Sequence, residues 1–188
     1  MSMEQLHDLH TAICSCRNCD LCLTRINAVP GEGPYDAKIM IVGEGPGAEN
    51  DKTGRPFVGR GGQILDKCLS EVGLRREDIF LTNVMKCRVP HNATPSTLLI
   101  EKCLPFLKEQ IRIVNPAVIV SLGLPAAKCL RKQSSIKLSD IHMQKFFLDG
   151  SILLSTFHPS SIRYNKSNRQ HILETVQEAS RVSVVSKK

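Results

Sequence analysis

Four short apolar runs punctuate the chain: Lys38–Val42, Ile79–Val84, Ala117–Leu122 and Ile152–Phe157. They are rich in branched side chains and bounded by Gly, Asn or Pro, as strands buried on both faces of a parallel sheet tend to be. Helical spacing of apolar positions predicts helices over Gln5–Ile13, Gly62–Val72, Thr97–Ile113, Pro125–Arg131 and Asn168–Arg181. Strands alternating with helices predict an α/β fold: a three-layer α/β/α sandwich around a four-stranded, mainly parallel central sheet. The 188 residues suit one domain, with a tail at Ser183–Lys188 expected to fray.

In open α/β sheets ligands bind beyond the carboxyl ends of the strands. Three segments fall there: Gly43-Glu44-Gly45-Pro46-Gly47, Thr82-Asn83 and His158-Pro159-Ser160-Ser161. Segments far apart in sequence are thereby expected to meet in one pocket. The glycine-rich segment lacks both the G-x-G-x-x-G order and the Lys-Ser/Thr of a phosphate loop. Its glycines allow close approach to a flat ligand and Pro46 stiffens it, although an ordinary strand-to-helix turn reads the same way.

Charge adds a partner class. Lys plus Arg number 25 against 18 Asp plus Glu, a net charge of +7, with a pI near 9.1. Such a balance suits a polyanion such as nucleic acid. No stretch is long and apolar enough to span a membrane, and the first residues lack the blocks of a secretory signal, so the expected location is cytoplasmic. That compartment keeps thiols reduced, which turns the eight cysteines from disulfides into metal-ligand candidates. Cys16 and Cys19 can bite one centre from a single turn, and Cys87 and Cys103 offer a second pair. The spacing fits either a zinc site or a four-iron cluster, and Cys14 and Cys22 crowd the first pair. Cys68 and Cys129 fall inside helical patterns and read as small buried hydrophobes.

Taken together, the motifs are far more specific than any one of them. Gly43-Glu44-Gly45-Pro46-Gly47, Thr53-Gly54-Arg55-Pro56-Phe57-Val58-Gly59-Arg60 with Gly62, Thr82-Asn83-Val84 with Lys86-Cys87-Arg88, and Phe157-His158-Pro159-Ser160 occur in one order. With Cys16-x2-Cys19-x5-Arg25, this order closely resembles the iron–sulfur branch, family 4, of the uracil-DNA glycosylase superfamily, over nearly the whole chain. The resemblance implies a single-domain enzyme that flips uracil out of DNA and hydrolyses its glycosidic bond. It also implies a structural [4Fe–4S] cluster on Cys16, Cys19, Cys87 and Cys103, with Cys14 and Cys22 outside the ligand set.

Residue roles follow from the same resemblance. Phe57 would stack on the base, where an inward-packed core ring is the alternative. Asn83 would read the uracil edge, where a strand-end cap is the alternative. His158, with backbone N–H groups of the Glu44–Gly45 turn, would stabilise the departing uracil anion. Family 1 enzymes carry an aspartate where this chain has Gly45, so Glu44 and Asn92 are the candidates for orienting water. Two positions depart from the family pattern. Asn50 stands where glutamate is common, beside the C5 edge of the base. The loop after His158 reads Ser161-Ile162-Arg163-Tyr164 in place of a Leu-Leu-Arg run, leaving Ile162 as the candidate wedge and Arg163 for phosphate. Arg55, Arg60, Lys86, Arg88, Arg163 and Lys166 are candidates for the DNA groove.

The expected partner is uracil-containing DNA, and the expected state a monomer without membrane contact. Two other readings stand beside this one: a non-catalytic iron–sulfur DNA-binding module, and a DNA-cross-linking member of the same superfamily, in which a histidine would align at Asn92. A third, a mononucleotide-binding α/β protein with a zinc site, is weakened by the missing phosphate loop.

Overall fold

A computed structural model describes residues 2–185 of the chain. Its centre is a five-stranded sheet in the order β2-β1-β3-β5-β4, formed by β1 (Ile39–Gly43), β2 (Phe80–Asn83), β3 (Val118–Leu122), β4 (Phe146–Leu148) and β5 (Ser151–Thr156). All neighbours run parallel except β4, which pairs antiparallel with β5. The registers place Gly43 opposite Asn83 and Leu122 opposite Thr156, so the carboxyl ends of four strands share one edge.

Two-residue alternation along the strands builds the two flanking layers. Ile39 and Ile41 pack with Val118, Val120 and Leu154 against Leu65 and Leu69 of α4 (Arg60–Glu71) and Ile172 and Val176 of α8 (Asn168–Val185). Met40 and Val42 face the other way, with Ile119 and Leu153. They meet Leu6 of α1 (Met3–Ser15), Leu107 and Ile111 of α5 (Thr97–Val114) and Leu130 of α6 (Leu124–Arg131). Each buried Leu, Ile or Val side chain contributes about 1.5–3 kcal/mol, so these two apolar faces dominate the stability of the sandwich. Three shorter helices complete it: α2 (Leu21–Thr24), α3 (Ala48–Thr53) and α7 (Leu138–Ile141).

The three-layer arrangement agrees with the sequence pattern; the strand count does not. The sheet has five strands, where four were expected. The missing one, β4, is three residues long, and its Phe147 is 76% exposed, so it lacks the continuous apolar run that marked the others. It enters through a hairpin whose corner residues Asp149 and Gly150 both have positive φ, 47° and 88°, as a two-residue type I′ turn requires.

Helix ends also moved. Ser2 Oγ accepts from the Gln5 N–H while Gln5 Oε1 accepts from the Ser2 N–H, a reciprocal cap that starts α1 at Met3. The last helix continues through Ser183 to Val185, with Val182 and Ser183 buried; residues 186–188 of the tail lie outside the described part. Among the described residues no helix is long and apolar enough to cross a membrane.

Candidate active site

A cleft of about 510 Å³ opens at the carboxyl edge of the sheet. Its walls come from the turn after β1, the end of β2, the segment before α4, the loop at Asn92 and the exit of β5. The connection after β1 crosses through α4 on one face of the sheet, and that after β2 crosses through α5 on the other. The cleft therefore sits where successive crossovers leave on opposite faces, the usual position for a ligand in such sheets.

Asn83 ends β2 and is 3% exposed, yet its side-chain amide makes no hydrogen bond to the protein among the described residues. A buried amide without a protein partner favours a ligand that supplies one. Its main chain, in contrast, is held firmly. Lys86 Nζ donates to the Asn83 carbonyl at 2.6 Å, to Thr82 Oγ1 at 2.7 Å and to Gln110 Oε1 at 2.6 Å. Burial pushes the Lys86 ammonium down to about 7. Lys86 is thus an interior brace between β2 and α5 and not part of a DNA groove, correcting the sequence-based expectation. The error has a simple cause: a lysine in a basic chain is most often surface, and its three acceptors are visible only in the fold.

Phe57 is buried and lines the cleft with its backbone in the left-handed region, φ 52°. Such a conformation in a bulky residue costs on the order of 1–3 kcal/mol and persists where neighbours enforce it. Here they do. Arg76 donates to the carbonyls of Pro56 and Phe57 and is itself gripped by Glu32 at 2.7 Å and Asp66 at 2.9 Å. Gly62 completes the hold, because a Cβ there would lie 1.5 Å from the Phe57 carbonyl oxygen. The Arg76–Glu32 clamp had no sequence signal, since its members are separated by 44 residues. Arg55, one of the DNA-groove candidates, spends its guanidinium on Glu32 at 2.9 Å.

His158 opens the 3-10 turn Pro159–Arg163 directly after β5. Its Nδ1 accepts from the Ser160 N–H at 3.2 Å and lies 2.7 Å from Ser160 Oγ. An Nδ1 that accepts leaves the proton of the neutral ring on Nε2, which has no protein partner among the described residues. Burial lowers the His158 pKa below its ordinary 6.5, favouring that neutral form. Glu44 lies across the cleft with its carboxyl pKa raised above 4.5, again by burial. Gly45, next to it, packs against Met85, where a Cβ would come within 3.2 Å of the Met85 Cβ.

Asn50 and Asn92 are placed at the rim. Asn50 Oδ1 accepts from the Gly47 N–H at 2.9 Å and its Nδ2 donates to the Arg55 carbonyl at 2.9 Å, tying the glycine turn to the Phe57 segment. Asn92 has φ 53° and accepts from Arg88 Nε at 3.1 Å. Arg60 is exposed in the wall of the cleft, whereas Arg163 is exposed but not part of that wall. Ile162 packs against the core, whereas Tyr164 is 84% exposed and stands beside the Arg163 guanidinium.

A second, smaller cavity is lined by Cys16, Cys19, Cys22, Cys87 and Cys103. Cys14 is not part of its wall, and Cys68 is fully buried in the main core; Cys129 is only half-buried. N–H groups already point at two sulfurs: Arg25 Nη1 donates to Cys87 Sγ at 3.0 Å, and the Lys86 N–H to Cys103 Sγ at 3.1 Å. Arg25 also donates to the carbonyls of Cys14 and Cys16, so it joins the two cysteine segments. Burial pushes the Cys103 thiol up to about 11 and raises Cys87 as well. Thiols so buried become thiolates only with a strong compensating cation, and aimed N–H donors are what a thiolate-bound centre requires.

Residues 30–180 match the model of the uracil DNA glycosylase superfamily. A type-4 uracil-DNA glycosylase of Thermotoga maritima is 45% identical over 167 residues, covering 87% of this chain and 87% of that protein. Another, from Pyrobaculum aerophilum, is 44% identical over 171 residues, 86% of this chain and 85% of the relative. A third, from Sulfurisphaera tokodaii, is 37% identical over 194 residues and spans 99% of this chain and 88% of its own. The chain belongs to the uracil-DNA glycosylase superfamily, alongside its type-4 members.

Proposed function

We propose that this protein excises uracil from DNA by hydrolysing the N-glycosidic bond, leaving an abasic site for base-excision repair. The observation that carries the proposal is the pairing, in one cleft, of a buried Asn83 amide without a protein partner and a neutral His158 whose Nε2 is free. A base stacked in a duplex is out of reach, so the nucleotide must swing out into the cleft, most cheaply from single strands or mismatches. There the Phe57 ring offers a stacking surface. Asn83 Oδ1 accepts from uracil N3–H and its NH₂ donates to O4; cytosine reverses both partners, each mispairing costing about 1–3 kcal/mol. Asn50 holds the wall of this pocket through the Gly47 and Arg55 backbone.

As the bond to the sugar breaks, negative charge gathers on uracil O2. A preset donor from His158 Nε2 and N–H groups of the Glu44–Gly45 turn gain strength as that charge develops, which lowers the barrier. The water that attacks the sugar is oriented by Glu44, with Asn92 a second polar group at the rim. Arg60, Arg88 and Arg163 supply phosphate contacts, and Ile162 anchors the loop that meets the stack. Cys16, Cys19, Cys87 and Cys103 fit a [4Fe–4S] cluster. It would supply no redox step, only a fastening between the N-terminal segment and the loop after Lys86. A reducing, cytoplasmic setting and a monomeric state accord with this reading.

The test compares binding with turnover. His158→Ala and Asn83→Ala should retain affinity for uracil-containing single-stranded DNA but lose uracil release by at least about 100-fold, the size typical of an oxyanion donor. Equal loss of binding and release, or no loss of either, counts against the proposal and favours a non-catalytic binding module.

A further inference from the structure

The corner between α7 and α8 carries a cluster of donors that neither the cleft nor the cysteine cavity uses. His142 closes α7, and His171 and Glu174 stand one turn apart on α8. One ligand atom from each lies within 4.8 Å of the other two. His171 Nδ1 is buried without a hydrogen-bond partner and sits 3.8 Å from Glu174 Oε2, too far for a hydrogen bond. The His142 and His171 rings meet edge to face, centroids 4.6 Å apart. His142 Nε2 lies 3.2 Å from the His171 carbonyl and 3.3 Å from Thr175 Oγ1; because the carbonyl can only accept, the ring carries its proton on Nε2 and its lone pair on Nδ1. An unpaired buried imidazole nitrogen calls for something else to take its lone pair.

We propose that His142, His171 and Glu174 form a binding site for a divalent transition-metal ion of the zinc class, separate from the cysteine cavity. Two imidazoles and one carboxylate are a donor set zinc accepts, with bonds of about 2.0–2.2 Å. Atoms already gathered within 4.8 Å reach such lengths by small side-chain rotations. Imidazole donors favour zinc, copper or nickel over magnesium or calcium. The i,i+3 spacing presents His171 and Glu174 from one helix face, so the ion would need only His142 to fasten α7 onto α8. Phe157 is packed against this corner, its ring centroid 6.4 Å from that of His142 and 5.2 Å from that of His171. The residue after Phe157 is His158, so the ion would brace the strand exit that carries the cleft imidazole.

The experiment titrates zinc chloride into the cluster-bearing protein, previously cleared of loosely held metal, against a chromophoric zinc indicator. Thermal unfolding is followed in parallel. The expected result is one zinc equivalent at micromolar concentration and a raised Tm. His171→Ala and, separately, His142→Gln should lose both the equivalent and the zinc-dependent rise while keeping the visible absorbance of the cluster. The double variant Cys14→Ser/Cys22→Ser should keep the equivalent. If His171→Ala does not fold, His142→Gln, at the end of the short helix, decides. No zinc uptake by the wild type, uptake unchanged in the histidine variants, or uptake lost in the cysteine variant would each overturn the proposal.

Discussion

A side-chain carbon placed on Gly43 would lie 2.4 Å from Asn83 Oδ1, and the two residues are direct partners across β1 and β2. The amide proposed to read the base therefore rests against a bare backbone, and the Phe57 ring lies 2.9 Å from the same point. Gly43→Ala should displace Asn83 and Phe57 together. Because a misplacement of about 1 Å can cost about 100-fold in rate, uracil release should fall by that order while the fold persists. Single-turnover kinetics beside circular dichroism measure both; full activity in a folded variant would show that the amide position is not critical.

Acidity should act through two groups that both fail as pH falls. Burial depresses the His158 pKa below 6.5, and burial raises that of Glu44 above 4.5. In the proposed mechanism His158 works neutral and Glu44 ionised. Activity, measured as kcat/KM on single-stranded substrate, should thus be level near neutrality and decline on acidification below pH 6.5. The stability sign agrees for the imidazole: its depressed folded pKa gives a contribution present above 6.5 and lost as pH falls through the folded value. A rate that climbs on acidification through pH 6.5 would instead make imidazolium the working form.

Lys86 separates an interior brace from a DNA contact. Lys86→Met removes the donor to Thr82 Oγ1, the Asn83 carbonyl and Gln110 Oε1, only the last of which keeps another donor, the Thr82 hydroxyl, and should destabilise the protein by about 3 kcal/mol. Urea unfolding measures the loss. The salt dependence of DNA binding should not change, since no phosphate contact is removed; a flatter salt slope with unchanged stability would reverse the assignment.

The cysteines divide into classes that iron analysis can test. Cys16→Ser, Cys19→Ser, Cys87→Ser and Cys103→Ser should each lose iron and brown colour, whereas Cys14→Ser, Cys22→Ser and Cys68→Ala should retain them. Arg25→Ala removes the donor to Cys87 Sγ and the ties to Cys14 and Cys16, and should speed iron loss to a chelator several-fold. Cys22 is the sharpest case, because it lines the same cavity as the four proposed ligands. Iron loss in Cys22→Ser would redraw the ligand set.

What sequence made legible was whatever a run or a boundary could encode. The apolar runs behind β1, β2, β3 and β5, and the Gly, Asn and His residues ending them, placed Glu44, Asn83 and His158 at one sheet edge before any geometry was known. Features satisfied only by distant partners stayed hidden. The Arg76–Glu32 clamp that holds Phe57 in its left-handed conformation is one, and the three acceptors of Lys86 are another. The strand β4 escaped because an edge strand with one wet face needs no continuous apolar run. In the loop after β5, Ile162, the candidate wedge, packs partly buried against the core, and Tyr164 is the side chain that projects.

The most direct test of the proposed activity is strand scission. The purified protein is incubated with labelled single-stranded DNA holding one uracil, beside matched strands with thymine or cytosine at that position, and abasic sites are then cleaved with alkali. Cleavage at uracil alone is the predicted result. A folded, cluster-bearing protein that cleaves none of the three strands, or cuts thymine and cytosine as readily as uracil, would contradict it.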